Sequence, residues 1–107
     1  MKSPTFPNVK TVGQFFREKE GIPAFLWSEE IEIGEPIEFE REPDNPHDPN
    51  AIKVLHNGLH MAYIERGQAA FIATYLDSGV AYTAHVSAKD DDGRGQEIPL
   101  VTFVPAE

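Results

Sequence analysis

The sequence predicts a mixed β and α fold, mainly β: a small curled sheet or partly open β-barrel with one or two helices packed against it. Three observations predict it. Short segments that alternate apolar and polar residues, or are rich in β-branched and aromatic ones, outnumber helical segments. Turn residues tie consecutive segments into hairpins. With 107 residues, 40% of them hydrophobic, the chain is long enough for one core and short for two, so residues 1–107 are read as a single domain.

Residues 1–10 hold Pro4 and Pro7 and no apolar run, and are read as irregular. Thr11 is placed to cap a short helix through about Glu18, with Val12, Phe15 and Phe16 on one face and Gly21 as its stop. Ile22 to Trp27 is a short apolar run containing Pro23, read as a buried strand. Ile31, Ile33, Ile37 and Phe39 alternate with Glu32, Glu38 and Glu40, a half-buried strand interrupted at Gly34-Glu35-Pro36. Arg41 to Asn50, with three prolines among Asp and Asn, is an ordered, turn-rich loop. Strands over Ala51 to His56 and Leu59 to Ile64 flank Asn57-Gly58, a strong hairpin signal. A helix follows from Gly67 to Asp77, with Ala70, Phe71, Ala73, Thr74 and Leu76 as its core-facing stripe and Gly79 as its stop. Val80 to Ala88 and Ile98 to Val104 form a second hairpin around the loop tip Asp90 to Gly95.

Composition narrows the function. The chain has no cysteine, which excludes disulfides, thiolate zinc sites and thiol nucleophiles and fits a reducing, cytoplasmic setting. No apolar run is long enough for a membrane span. The formal net charge of −9 argues against broad nonspecific DNA binding, which draws its affinity from counterions released by many Lys and Arg, so any nucleic-acid contact must be local.

The most informative stretch is Arg41-Glu42-Pro43-Asp44-Asn45-Pro46-His47-Asp48-Pro49-Asn50-Ala51-Ile52. With Lys53-Val54, the hairpin ending Ala62-Tyr63-Ile64 and a helix opening near Arg66 and Ala69, it resembles the HIRAN domain, whose motif reads R-E-P-x-N-P-x-D-x-N-A-I. The resemblance spans about Gly21 to Val86. It implies an OB-like or SH3-like barrel that binds DNA, with the 3′ end of a single strand gripped by the module. Asn45, His47 and Asp48 match positions that approach the terminal nucleotide in relatives, and Tyr63 and Arg66 match positions that contact nucleic acid. Relatives typically carry a tyrosine where His47 stands, and a basic residue beside aromatics where this chain reads Ala24-Phe25-Leu26-Trp27.

The loop also has its own physical logic. Its prolines fix φ and restrict the residues before them, so Asn45 and Asp48 are held in place. A carboxylate such as Asp48 is repelled by phosphate but accepts a hydrogen bond from a free hydroxyl, which would separate a strand end from an internal site. Trp27 and His47 are the candidate stacking platforms, and Arg66 the candidate phosphate partner. The plainer alternatives stay open: Asn45, Asp48 and Asn50 as Asx turns bracing their own loop, Trp27 as core, Arg66 as a solvated surface residue.

A calcium loop fails on spacing, because Pro46 and Pro49 occupy the third and sixth positions. No zinc pattern, nucleophile elbow or phosphate loop is present, so no metal, cofactor or catalytic residue is expected. The leading expectation is a non-catalytic DNA-binding module for single-stranded 3′ ends or damaged DNA that targets associated enzymes. The alternative is an acidic protein-interaction module docking a basic nucleic-acid-processing partner, such as a nuclease or translocase.

Overall fold

Six strands close into an antiparallel barrel in the computed structural model, which describes residues 3–13, 18, 19, 22–91, 93 and 95–106. In chain order the elements are β1 (Phe6–Val12), β2 (Glu18–Lys19), β3 (Ile22–Pro23), α1 (Ala24–Glu30), β4 (Pro36–Arg41), β5 (Ile52–His56), β6 (Leu59–Ile64), α2 (Arg66–Asp77), β7 (Tyr82–Asp91) and β8 (Glu97–Pro105). Around the barrel the order is β1-β6-β5-β4-β7-β8, and β8 returns to β1; β2 and β3 form a separate two-stranded ribbon. The expected barrel is therefore closed rather than partly open. Closure comes from β1, which pairs with β6 through Thr11 and Ile64 and with β8 through Val9 and Val101.

Alternation sets the inside of the barrel. Ile37 on β4, Ile52 and Val54 on β5, Met61, Ala62 and Ile64 on β6, Val86 on β7 and Val101 and Phe103 on β8 are buried, while Glu38 and Glu40 face out. Asn57 and Gly58 turn the β5–β6 hairpin with φ of 51° and 81°, the pair of positive values that a two-residue turn of this hand requires. The β7–β8 hairpin runs from Tyr82 opposite Pro105 to Asp91 opposite Glu97, with a register shift between Val86 and Ala88. Asp90 and Asp91 thus belong to β7 and not to the loop tip.

Five further expectations change. Residues 6–10 are barrel strand, not irregular, and Thr11 lies in β1 instead of capping a helix. Its hydroxyl donates to the Pro99 carbonyl at 2.8 Å, a buried partner 88 positions away that no local pattern reveals. Phe15 and Phe16 of the expected helix lie outside the described residues. The run Ile22 to Trp27 is strand only to Pro23; Ala24 opens α1, with Pro23 just outside a helix whose first turn needs no N–H from it. Pro36 begins β4, leaving Ile31 buried before it and Ile33 exposed. On α2 the buried residues are Ala69, Ile72 and Ala73, so Thr74 and Phe71 face outward. Ala69-Ala70-Phe71-Ile72 are all apolar and permit two rotations of the stripe; packing selects the one that seats the small alanines against the barrel.

Candidate nucleic-acid interface

The loop between β4 and β5 is braced before it can present anything. Glu42 N donates to Ala51 O at 2.9 Å, Asn45 N to Glu42 O at 3.0 Å and Ala51 N to Asp48 O at 3.1 Å. Asn45 Oδ1 accepts from the backbone N–H groups of His47 and Asp48 at 2.8 and 3.1 Å, and Asp48 Oδ1 accepts from Asn50 N at 2.9 Å. These are the Asx turns that prolines on either side favour. Arg41 staples the loop to the end of α2. Its Nε and Nη2 form a fork on the Asp77 carboxylate, both at 2.9 Å, while Nη1 and Nη2 donate to the Ala51 and Pro49 carbonyls. The same fork holds the Asp77 carboxyl below its usual range and the guanidinium above its own.

Glu42 ties the loop to the barrel. Its Oε1 accepts from the Tyr63 hydroxyl and from Asn45 Nδ2, each at 2.7 Å, and its Oε2 lies 3.2 Å from Lys53 Nζ. Chiefly through the Tyr63 bond, the Glu42 carboxyl is lowered to about 2. One carboxylate thereby orients the Asn45 amide and the Tyr63 ring together. The ring of His60 meets Tyr63 edge-on, with centroids 4.8 Å apart.

Between the braced loop, the end of β1 and the start of α2 lies a cavity of about 320 Å³. Five of the six sequence-predicted residues line it: Asn45, His47, Asp48, Tyr63 and Arg66, over an apolar floor of Val12, Ala51 and Ile64. Their availability differs. Asn45 is committed to the loop and to Glu42. Asp48 Oδ2, on a largely buried side chain, lies 4.0 Å from Arg66 Nε, and the Asp48 carboxylate also feels the charge of Arg41. Arg66 is 79% exposed at the mouth, and His47 is exposed on the rim. The cavity thus offers one oriented acceptor, one reachable cation and an apolar floor, a set that suits a sugar hydroxyl beside a phosphate.

Trp27 is not part of this set. It is only 8% exposed, sits in the core from α1 with its ring 6.1 Å from that of His56, and has no open face on which a base could stack. Sequence reasoning missed Arg41 and Glu42, although both stand in the motif. The signal was their adjacency to the prolines, which marks the start of the brace, but an Arg and a Glu among so many surface charges carry no label of their own. Among the described residues no cluster of His, Asp or Glu is arranged to hold a metal ion. No helix of the described residues is long and apolar enough to cross a membrane.

A closed six-strand barrel with a proline-braced loop over one mouth defines a class of small β-barrel module. The family is equally definite: the HIRAN domain model matches residues 11–100, and the chain belongs to that family. Helicase-like transcription factor of Mus musculus is 44% identical over 52 residues, 48% of this chain and 5% of that protein, and its counterpart from Oryctolagus cuniculus is 42% identical over the same length. The chain therefore spans a small fraction of the curated relatives it matches. The crystal structure of the HIRAN domain of human HLTF shares the fold, with a TM-score of 0.66 at 21% identity over 92% of this chain and 73% of that one. A protein from Lactobacillus plantarum superposes with a TM-score of 0.68 at 25% identity, over 92% and 93% of the two chains.

Proposed function

We propose that this chain is a DNA-binding module that receives the 3′ end of a single strand in the cavity beside the braced loop. The observation that carries the reading is Asp48 Oδ2, an acceptor fixed in place and turned toward a cavity whose mouth holds Arg66. A terminal sugar donates its hydroxyl to Asp48, and the phosphate on its other side meets Arg66. An internal nucleotide has a phosphate where the hydroxyl would be, and Asp48 repels it. His47 and Tyr63 supply ring surface at the rim and wall, in place of the platform expected of Trp27. Family membership supports the reading, and binding of this kind would direct an associated enzyme to stalled or damaged ends.

Fluorescence anisotropy at low salt tests it, with oligothymidylates that end in a free 3′ hydroxyl or a 3′ phosphate. Blocking the end is expected to weaken binding about tenfold or more, the equivalent of one charge-assisted hydrogen bond. Equal affinity for both ends would sink the reading. The net charge of −9 favours a second one, docking of a basic protein partner on the acidic surface. That reading predicts no dependence on the state of the 3′ end.

A further inference from the structure

We propose that the seam between β1 and α2 continues the strand's path, with Phe71 stacking a base at the second or third position from the end and Lys10 meeting a phosphate between. The proposal rests on the terminal-pocket reading above and assigns the next part of its ligand.

Two independent observations lead to the seam. The first is the disposition of cations in a chain of net charge −9. Arg41 is held by Asp77, Lys53 by Glu42, and Lys89 by Glu97 and the carbonyls of Ser28 and Glu29. Among the cations whose side chains are described, Lys10 has no carboxylate partner, and Arg66 reaches one only at 4.0 Å. Their stretches of chain are adjacent: Glu65 N donates to Lys10 O at 2.9 Å and Lys10 N to Gln68 Oε1 at 3.1 Å, and Arg66 follows Glu65 at the start of α2. The carboxylate of Glu65, beside them, is turned onto Gly67 N as the cap of α2.

The second observation is an apolar hollow of about 210 Å³ on the far side of Lys10, walled by Phe6, Val9, Ile72 and Tyr75 and edged by Phe71. Phe71 is 71% exposed although α2 buries its neighbour Ile72 completely. The rotation that buries Ala69, Ile72 and Ala73 leaves the Phe71 ring open to solvent at the edge of the hollow. Val12, in the terminal pocket, and Val9, in the hollow, are three residues apart on β1, roughly 10 Å along the strand. Arg66 and Phe71 are five residues apart on α2, about 7.5 Å along its axis and about 140° around it, so a strand passing from one to the other curves over the helix start. That is a reach of one or two nucleotides. A cation followed by an open aromatic edge suits a polymer that alternates phosphate with a π face.

The test uses oligothymidylate hexanucleotides with a free 3′ hydroxyl, intact or lacking the base at the second or third position, against the wild type, Phe71→Ala and Lys10→Gln. Phe71→Ala is expected to weaken the intact oligomer about five- to hundredfold and to be insensitive to base removal, while the wild type loses affinity when that base is missing. Lys10→Gln is expected to lower the slope of log affinity against log salt by about one. Circular dichroism should be unchanged, since both side chains lie outside the core. Wild-type affinity in both variants, with the dependence on a free 3′ end intact, would overturn the seam and leave the terminal pocket standing. Failure of every oligomer to bind overturns both. A change in sedimentation of the free protein on Phe71→Ala would assign the hollow to self-association and overturn the proposal.

Discussion

Replacing Glu42 by Gln isolates the charge that joins the loop to the barrel. The side chain keeps its length and an oxygen that can accept from Tyr63, but loses the pair with Lys53 and the strength of a charged acceptor. The Glu42 carboxyl titrates near 2 in the folded chain against an ordinary 4.5. At 1.36 kcal/mol per unit the difference gives an upper value of about 3 kcal/mol. With 27% of the side chain exposed, solvent screening reduces it to about 1–2 kcal/mol. For a domain of this size that lowers Tm by roughly 5–10 °C. Because the folded value is depressed, the contribution is fully present above about pH 4.5 and is lost as pH falls through about 2. Calorimetry of both proteins between pH 7 and pH 2 should show a gap in Tm that holds to about pH 5 and then closes, as protonation makes the wild type resemble the variant. Glu35 and Asp77, whose carboxyls are also held low, titrate in both proteins and cancel in the difference. A gap of constant size across the range would refute the assignment of the charge to Glu42.

Asp48→Asn keeps an oxygen for Asn50 N but offers the cavity an amide N–H in place of an acceptor; 3′-end affinity should fall by about 1–3 kcal/mol while Tm moves by only a few degrees. Trp27→Ala should cost about 3–5 kcal/mol in denaturant unfolding, and Trp27→Phe should bind oligonucleotide as the wild type does, since the indole is core. Arg41→Lys removes the fork on Asp77 and at least one of the two carbonyl bonds, and should destabilise the chain by about 2 kcal/mol and speed hydrogen exchange at Ala51 N, which closes the loop.

Much of the candidate site was legible because its parts lie close together in sequence. Asn45, His47 and Asp48 share one loop, and their prolines announce its stiffness; Tyr63 and Arg66 follow one hairpin later, and all five line one cavity. Trp27 was not legible in the same way. An apolar run with a lone tryptophan has the same composition whether it is a platform or a core segment, and only the packing of α1 against the barrel separates the two. Glu42 shows the opposite case, a residue inside the motif whose role depends on Tyr63, 21 positions away.

What the sequence determined by itself is local: alternation on β4, the Asn57-Gly58 turn, the existence and ends of α2, the rigid loop and its family signature. Each follows from backbone sterics and side-chain periodicity within a few residues. Tertiary structure decided the rest. β1 closes the barrel through partners on β6 and β8 that are distant in the chain, the register of α2 puts Phe71 outside, and Glu42 joins loop to wall. In each the deciding energy lies in contacts between segments far apart in sequence, which no local pattern encodes.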